Sequence, residues 1–209
     1  MGITVSCLWT TSPSAALAQT GDGGPAVIPP AAAYIGVPDG VSEAPLPRWQ
    51  VGTTEPRTLW VYFTSPPPGR PEFWEATLHA MNTWNEVVGV PVSFRRTTHQ
   101  DAADVEFGWI RRFGSSQAGT TDWRTDGEGW LQKVVVTLAL EHEDGTPMSA
   151  EFLSLVSLHE LGHAIGLPHS EDPADVMHPG NRSLELSDRD ILSARQLYMR
   201  TNSEKVVVP

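Results

Sequence analysis

Three histidines and one glutamate lie close together in the stretch His159–Ser170, which reads HELGHAIGLPHS. If His159 and His163 are on a helix, they lie about 40° apart on one face, so both can bind one metal ion. Glu160 then lies about 100° around the same helix, where its carboxylate can reach a water on that metal. The spacing therefore predicts a metal site with Glu160 as the candidate general base.

His169 can bind the same metal only if the helix ends before it. A continuous helix would place His169 about 120° around from His163 and roughly 9 Å further along, whereas Zn–N bonds are about 2.0–2.1 Å long. Gly166 can adopt the left-handed conformation that ends a helix, and Pro168 prevents the helix from resuming. We therefore predict one catalytic Zn²⁺ held by His159, His163 and His169.

Length and composition limit the classes of protein to which this chain can belong. A chain of 209 residues is long enough for one domain with an N-terminal extension. The net charge of −11 disfavours nucleic acid and anionic membrane surfaces as partners. The single cysteine, Cys7, can form neither an internal disulfide nor a thiolate zinc site. No run approaches the roughly 18 apolar residues of a transmembrane helix, so we expect no membrane insertion.

Residues 1–47 differ in composition from the rest of the chain. They contain no Lys or Arg and no sustained helical or strand period, so we expect them to lie outside the core. Ala16–Ala18, before Gln19, has the small-x-small form of a signal peptidase site. We interpret the segment as the remnant of an export signal with a flexible, propeptide-like part; a disordered tail is the alternative. We therefore expect a secreted or cell-envelope protein.

Charged residues and tryptophans begin near Arg48, so we place one domain at residues 48–200 and a C-terminal tail at 201–209. Strands are predicted at Thr58–Thr64 and Lys133–Leu140 from their β-branched content. Pro71 opens a helix with an apolar face formed by Phe73, Ala80, Met81, Trp84 and Val88. Residues 114–129 read as a loop from their Gly, Ser, Thr and Asp content. The histidine-bearing helix is predicted at 147–165.

The pattern H-E-x-x-H-x-x-G-x-x-H resembles the metzincin clan of zinc endopeptidases, and Ser170 after the third histidine is similar to the matrixin branch. Asp175–Pro179 resembles the metzincin Met-turn, in which Met177 would pack beneath the metal without binding it. The resemblance covers roughly 150 residues and makes residues 48–200 a matrixin-like catalytic domain. It implies an α+β metzincin fold, with a twisted, mostly parallel five-stranded sheet, an antiparallel edge strand and three helices.

The resemblance also implies an activity. It implies a secreted zinc-dependent endopeptidase that hydrolyses internal peptide bonds of proteins, as enzymes of the extracellular matrix do. Glu160 would take a proton from the attacking water and deliver a proton to the leaving amine. The substrate would lie antiparallel along an edge strand, near Ala118–Thr121 or Lys133–Leu140. We expect a protein or peptide substrate and a monomeric enzyme.

Matrixins usually carry further metal ions, namely a structural zinc and calcium in acidic loops. His99 and His142 are too isolated to form a second zinc site, so we expect one zinc per chain. Asp122, Asp126 and Glu128 could hold calcium, although their spacing fits no EF-hand loop. A solvated loop is the alternative for these three acidic residues.

Latency is a further expectation that the resemblance raises. Tyr34–Asp39 is similar to a matrixin propeptide stretch whose cysteine caps the zinc, but Ile35 stands at the cysteine position. Asp39 is a carboxylate that could coordinate zinc in its place. A plain loop is the alternative interpretation of this short match.

Two other functions are compatible with parts of the motif. A gluzincin-type aminopeptidase would keep H-E-x-x-H and use Glu185 as the third ligand, leaving Gly166 and His169 unexplained. A non-catalytic, zinc-stabilised binding module would keep the metal and have no need of Glu160. Metal retention in variants distinguishes the first alternative from the matrixin-like reading.

We predict that His169→Ala strongly weakens zinc retention, because it removes one of three protein ligands, whereas Glu185→Ala leaves zinc affinity unchanged. Zinc content after dialysis against a graded chelator measures both variants. The reverse result, with loss of zinc in Glu185→Ala alone, would establish the gluzincin alternative.

Overall fold

The computed structural model describes residues 2–8, 32–35, 46–52, 55–65 and 69–199, with the backbone alone for residues 2–8. The helices and strands in chain order are β1 Gly2–Leu8, β2 Arg57–Phe63, α1 Pro71–Asn85, β3 Val92–Thr97, a 3₁₀ turn Gln100–Ala102, β4 Val105–Ile110, β5 Gln117–Thr125, β6 Leu131–Ala139, α2 Ala150–Ala164 and α3 Asp188–Met199. The histidine-bearing helix is α2.

One mixed sheet contains all the strands, in the order β1-β5-β6-β4-β2-β3. Strands β3, β2, β4 and β6 are parallel, and β5 pairs antiparallel with β6. The five strands from β2 to β6, with β5 as the antiparallel edge, confirm the predicted α+β metzincin fold class. Strand β1 adds a sixth strand, antiparallel to β5, which the sequence analysis did not predict.

The core lies between the sheet and the two long helices, which pack against each other. Strand β6 contributes Val134, Val136 and Leu138, which are all fully buried and lie on one face, because alternate residues of a strand point to the same side of the sheet. Helix α1 begins at Pro71 and buries the predicted Phe73, Ala80, Met81 and Trp84. The prediction was wrong for Val88, which is 78% exposed, because α1 ends at Asn85 and the helical period stops with it.

The predicted loop at residues 114–129 was also wrong, because β5 occupies Gln117–Thr125. Its Gly, Thr and Asp content is typical of turns. The backbone N–H and C=O groups nevertheless form hydrogen bonds with β6, which makes the segment a strand. Thr121 is fully buried beside α2, where a hydroxyl can find a partner. Tertiary contacts therefore override a weak local preference here.

The expectation that residues 1–47 lie outside the core was wrong for two short stretches. Ile35 is fully buried and Leu46 is 6% exposed. The Tyr34 backbone N–H donates to Ser193 Oγ at 2.9 Å on α3, and the Tyr34 hydroxyl donates to Asp190 Oδ1 at 3.2 Å. Isolated anchors of this kind show no helical or strand period, so the sequence pattern gave no sign of them.

Several expectations concern residues that the structure does not describe. The signal peptidase site at Ala16–Ala18, the candidate capping residue Asp39 and the tail at 201–209 all lie outside the described residues. Within the ranges that are described, none of the helices combines the length and apolar character needed to cross a membrane.

We predict that Ile35→Ala lowers the free energy of unfolding by about 2–4 kcal/mol, the usual cost of removing a large buried aliphatic side chain. Val88→Ala, at a position 78% exposed, should change it by less than about 0.5 kcal/mol. Urea denaturation of the full chain measures both. Equal stability of the two variants would show that residues 32–35 do not belong to the folded domain.

Candidate metal and catalytic site

Helix α2 begins and ends at defined capping contacts. Ser149 is the N-cap, and its Oγ accepts a hydrogen bond from the Phe152 N–H at 3.1 Å. At the other end Gly166 has φ +105°, and the Leu167 N–H donates to Gly162 O at 3.1 Å. A Cβ on Gly166 would lie 2.1 Å from Pro47 O, so glycine is needed there both for conformation and for space. The predicted break before His169 is confirmed.

The break brings the three histidines together. Their candidate ligand nitrogens all lie within 4.8 Å of one another. Ring centroids are separated by 4.6 Å for His159–His163, 5.3 Å for His159–His169 and 4.8 Å for His163–His169. One metal ion can therefore contact all three imidazoles.

Backbone carbonyls orient the two helical histidines. His159 Nδ1 lies 2.7 Å from Val176 O, and His163 Nδ1 lies 2.7 Å from Leu167 O. A carbonyl can only accept, so both Nδ1 atoms carry the proton and both Nε2 atoms keep a lone pair. His163 Nε2 is buried without a hydrogen-bond partner. A histidine with only a structural role in the core would have both ring nitrogens hydrogen-bonded, so the free lone pair fits a metal ligand better.

The surroundings keep the imidazoles neutral. Burial lowers the pKa of His159 to about 3, with smaller contributions from the charges of His169 and His178. Burial also holds the pKa of His163 well below its ordinary value and lowers that of His169. Because a metal binds the neutral imidazole, no proton has to be removed from the site near neutral pH.

Glu160 is fully buried next to β5. Thr121 Oγ1 donates a hydrogen bond of 2.6 Å to Glu160 Oε2, which fixes one oxygen of the carboxylate. Gly119 approaches so closely that a Cβ there would lie 2.5 Å from Glu160 Oε1. The edge strand β5 therefore both orients the carboxylate and leaves space for it.

Met177 is fully buried below the turn of α2 that separates the two helical ligands. A Cβ on Gly162 would lie 2.2 Å from Met177 Sδ, so this glycine lets the thioether pack against the helix backbone. Asp190 on α3 holds the Met177 turn, because its carboxylate accepts from the Val176 N–H at 2.8 Å and from the Met177 N–H at 3.3 Å. The turn that contacts His159 is thereby tied to the last helix.

Three tryptophans bind the backbone of α2, and the sequence analysis did not assign them this role. The indole N–H groups donate to carbonyl oxygens: Trp84 to Leu158 at 2.8 Å, Trp123 to His163 at 2.9 Å and Trp49 to Ala164 at 2.8 Å. A buried tryptophan needs an acceptor for its N–H. The 8 tryptophans of this chain were therefore the sequence feature that could have indicated such hydrogen bonds. These bonds fix the helix that carries two of the ligands.

Other predicted ligands do not join the histidines. In the described part of the chain, the histidine triad is the one group of three or more potential ligand residues brought close enough to hold an ion. Glu185 is exposed. Asp126 caps a turn, with Oδ1 accepting from the Glu128 N–H at 2.9 Å, and Asp122 lies within β5. His142 packs against Phe152 at 5.0 Å between ring centroids.

A cavity of about 540 Å³ lies beside the start of β5. Gln117 and Ala118 of β5 form one side, and Met148 and Phe152 at the start of α2 form another. Gly119, the next residue of β5 after the cavity wall, contacts Glu160.

Comparison with known proteins agrees with this geometry. Residues 59–199 match the family model for the matrixins. Metalloendoproteinase 1 from Glycine max is 30% identical over 173 residues, covering 73% of this chain and 53% of that protein. Matrilysin from Felis catus is 31% identical over 150 residues, covering 60% and 52%. The 72 kDa type IV collagenase from Gallus gallus is 47% identical over 82 residues, covering 38% and 12%. The chain thus spans about half the length, or less, of these relatives.

We predict that Thr121→Val lowers kcat/KM of any peptidase activity about ten- to a hundredfold while zinc content stays unchanged, because the carboxylate of Glu160 loses its oriented donor. Thr120→Val is the matched control, since neighbouring side chains of a strand point to opposite faces. Steady-state rates and metal analysis of both variants provide the measurement. Equal activity in the two would show that Thr121 does not position Glu160.

Proposed function

Since the chain belongs to the matrixin family, we propose that it is a secreted zinc-dependent endopeptidase that hydrolyses internal peptide bonds of proteins. The observation that carries the proposal is the buried Glu160 carboxylate beside three converging imidazoles. Metal ligands alone would support a structural ion, whereas an oriented carboxylate next to them supports activation of water.

The donor set fits zinc. His159, His163 and His169 would hold one Zn²⁺ through neutral nitrogens and leave a position free for water. When bound, zinc supplies a Lewis acid that brings the pKa of water towards about 7 and polarises the substrate carbonyl. No thiolate is needed for this coordination.

Glu160 acts as the general base and then as the general acid. Its carboxylate takes a proton as water attacks the scissile carbonyl, and it delivers a proton to the departing amine. The Thr121 hydroxyl holds Oε2, so the carboxylate does not have to be oriented in each turnover. Met177 is a packing residue below the ligands and takes no part in proton transfer.

The substrate backbone binds along β5. Without β1, this strand would be the antiparallel edge of the other five strands, and Gly119 and Thr121 place its middle beside Glu160. An extended peptide can add to such an edge through main-chain hydrogen bonds with little dependence on sequence. The cavity next to Gln117 and Ala118 would take a substrate side chain and provide selectivity.

The alternatives receive less support from the geometry. Glu185, the third ligand of a gluzincin, is exposed and is not grouped with the histidines. A purely structural zinc site would have no use for a buried carboxylate beside it, and burying one is costly. The net charge of −11 disfavours nucleic acid as a partner, and we propose a monomer acting on extracellular protein substrates.

We predict that Glu160→Gln abolishes peptidase activity and retains zinc, because the amide has nearly the same shape and cannot accept the proton. Glu185→Gln, the matched control at an exposed glutamate, should keep wild-type activity. Hydrolysis of a proteome-derived peptide mixture, together with metal analysis, tests both. Bound zinc with more than a few per cent of wild-type turnover in Glu160→Gln would refute the assigned role.

A further inference from the structure

The outer edge of β5 is already paired within this chain. Strand β1 runs antiparallel to it, with Gly2 opposite Arg124, Ile3 opposite Trp123 and Val5 opposite Thr121. On its other side β5 pairs with β6, so β1 covers the edge that would otherwise end the sheet. A strand edge offers one set of N–H and C=O groups, and only one partner strand can use them at a time.

The covered stretch of β5 lies beside the catalytic residues. Thr121, opposite Val5, donates to Glu160, and the indole of Trp123, opposite Ile3, donates to His163 O. Strand β1 therefore passes along the part of the sheet that touches both the general base and a metal ligand.

The pairing is irregular at the point closest to Glu160. Ser6 pairs with Thr120 and Leu8 pairs with Gln117, so β1 advances by two residues while β5 advances by three. Ala118 and Gly119 thus share the place opposite Cys7. Such an irregularity bends a strand and often lies next to an active site. Here it falls where Gly119 approaches the Glu160 carboxylate.

We propose that Gly2–Leu8 is a pseudosubstrate strand, which competes with peptide substrates for the β5 edge within the same molecule in the chain that has not been cleaved at Ala16–Ala18. The inference rests on the proposed function, because it assumes that substrates bind at this edge. Strand β1 has the antiparallel orientation and the extended backbone that a substrate would adopt there. Inhibition by β1 requires neither a covalent bond nor a contact with the metal.

Tethering makes a weak strand an effective competitor. A linked segment acts at an effective concentration on the order of millimolar, so a pairing with a Kd of about 0.1 mM would leave the edge roughly 90% occupied. Saturating substrate still displaces such a strand. Pure competition therefore raises the apparent KM about tenfold and leaves kcat unchanged.

The test compares two variants of the full chain that are changed at the same two positions. Thr4→Pro/Val5→Pro removes two successive backbone donors and breaks β1, whereas Thr4→Val/Val5→Thr exchanges the two residues and keeps strand propensity. These two variants differ in composition only by the prolines at positions 4 and 5. We expect the proline variant to show a KM about tenfold lower than the exchange variant, with kcat equal within twofold. Equal KM values would overturn the proposal.

A binding measurement separates this proposal from the peptidase assignment. A fluorescent peptide with the sequence of Gly2–Leu8, carrying serine for Cys7 so that no thiol can bind metal, is titrated into both variants. We expect about tenfold tighter binding to the proline variant, and none of a scrambled peptide. Equal binding to both variants would reject the pseudosubstrate strand. Tighter binding to a proline variant that hydrolyses no peptide would keep the strand and reject the peptidase.

Discussion

The end of helix α2 is the constraint on which the rest of the site depends. His159 and His163 are fixed by the helix itself, but His169 reaches the same point only because the chain reverses at Gly166. Each residue of additional helix would rotate the following chain by about 100° and carry it about 1.5 Å along the axis. A Cβ at position 166 would collide with Pro47 O, so residues with a side chain are excluded from this turn. One backbone conformation thus determines whether three ligands or two face the metal.

The three polar residues of α2 at the site are tolerated in the core because each has a hydrogen bond that replaces water. His159, Glu160 and His163 are fully buried, which is costly unless hydrogen bonds replace water. Carbonyls of Val176 and Leu167 accept from the imidazoles, and Thr121 donates to the carboxylate. The same contacts select the tautomer and orientation that metal binding requires. Stability of the folded site and readiness for chemistry therefore depend on the same bonds.

The sequence predicted the three histidine ligands from their spacing, and it predicted the fold class through its resemblance to the matrixins. Residues four apart on a helix must share a face, and Gly166 followed by Pro168 must end it. Thr121 could not be predicted in the same way, since its contact with Glu160 depends on how β5 meets α2 across the fold. Strand β5 itself was taken for a loop, because a Gly- and Thr-rich segment gains its structure from its neighbours. Long-range contacts of single residues leave no periodic signal.

The described residues of the N-terminal segment contact the site at three separate places. Pro47 closes the turn at Gly166, Tyr34 hydrogen-bonds Asp190 behind the Met177 turn, and β1 covers β5. Each contact falls on an element that positions a histidine of the triad or Glu160. Any change that detaches Tyr34 or Pro47 removes a contact to the elements that surround the histidines. The packing of residues 32–35 and 46–52 and the assembly of the metal site are therefore coupled.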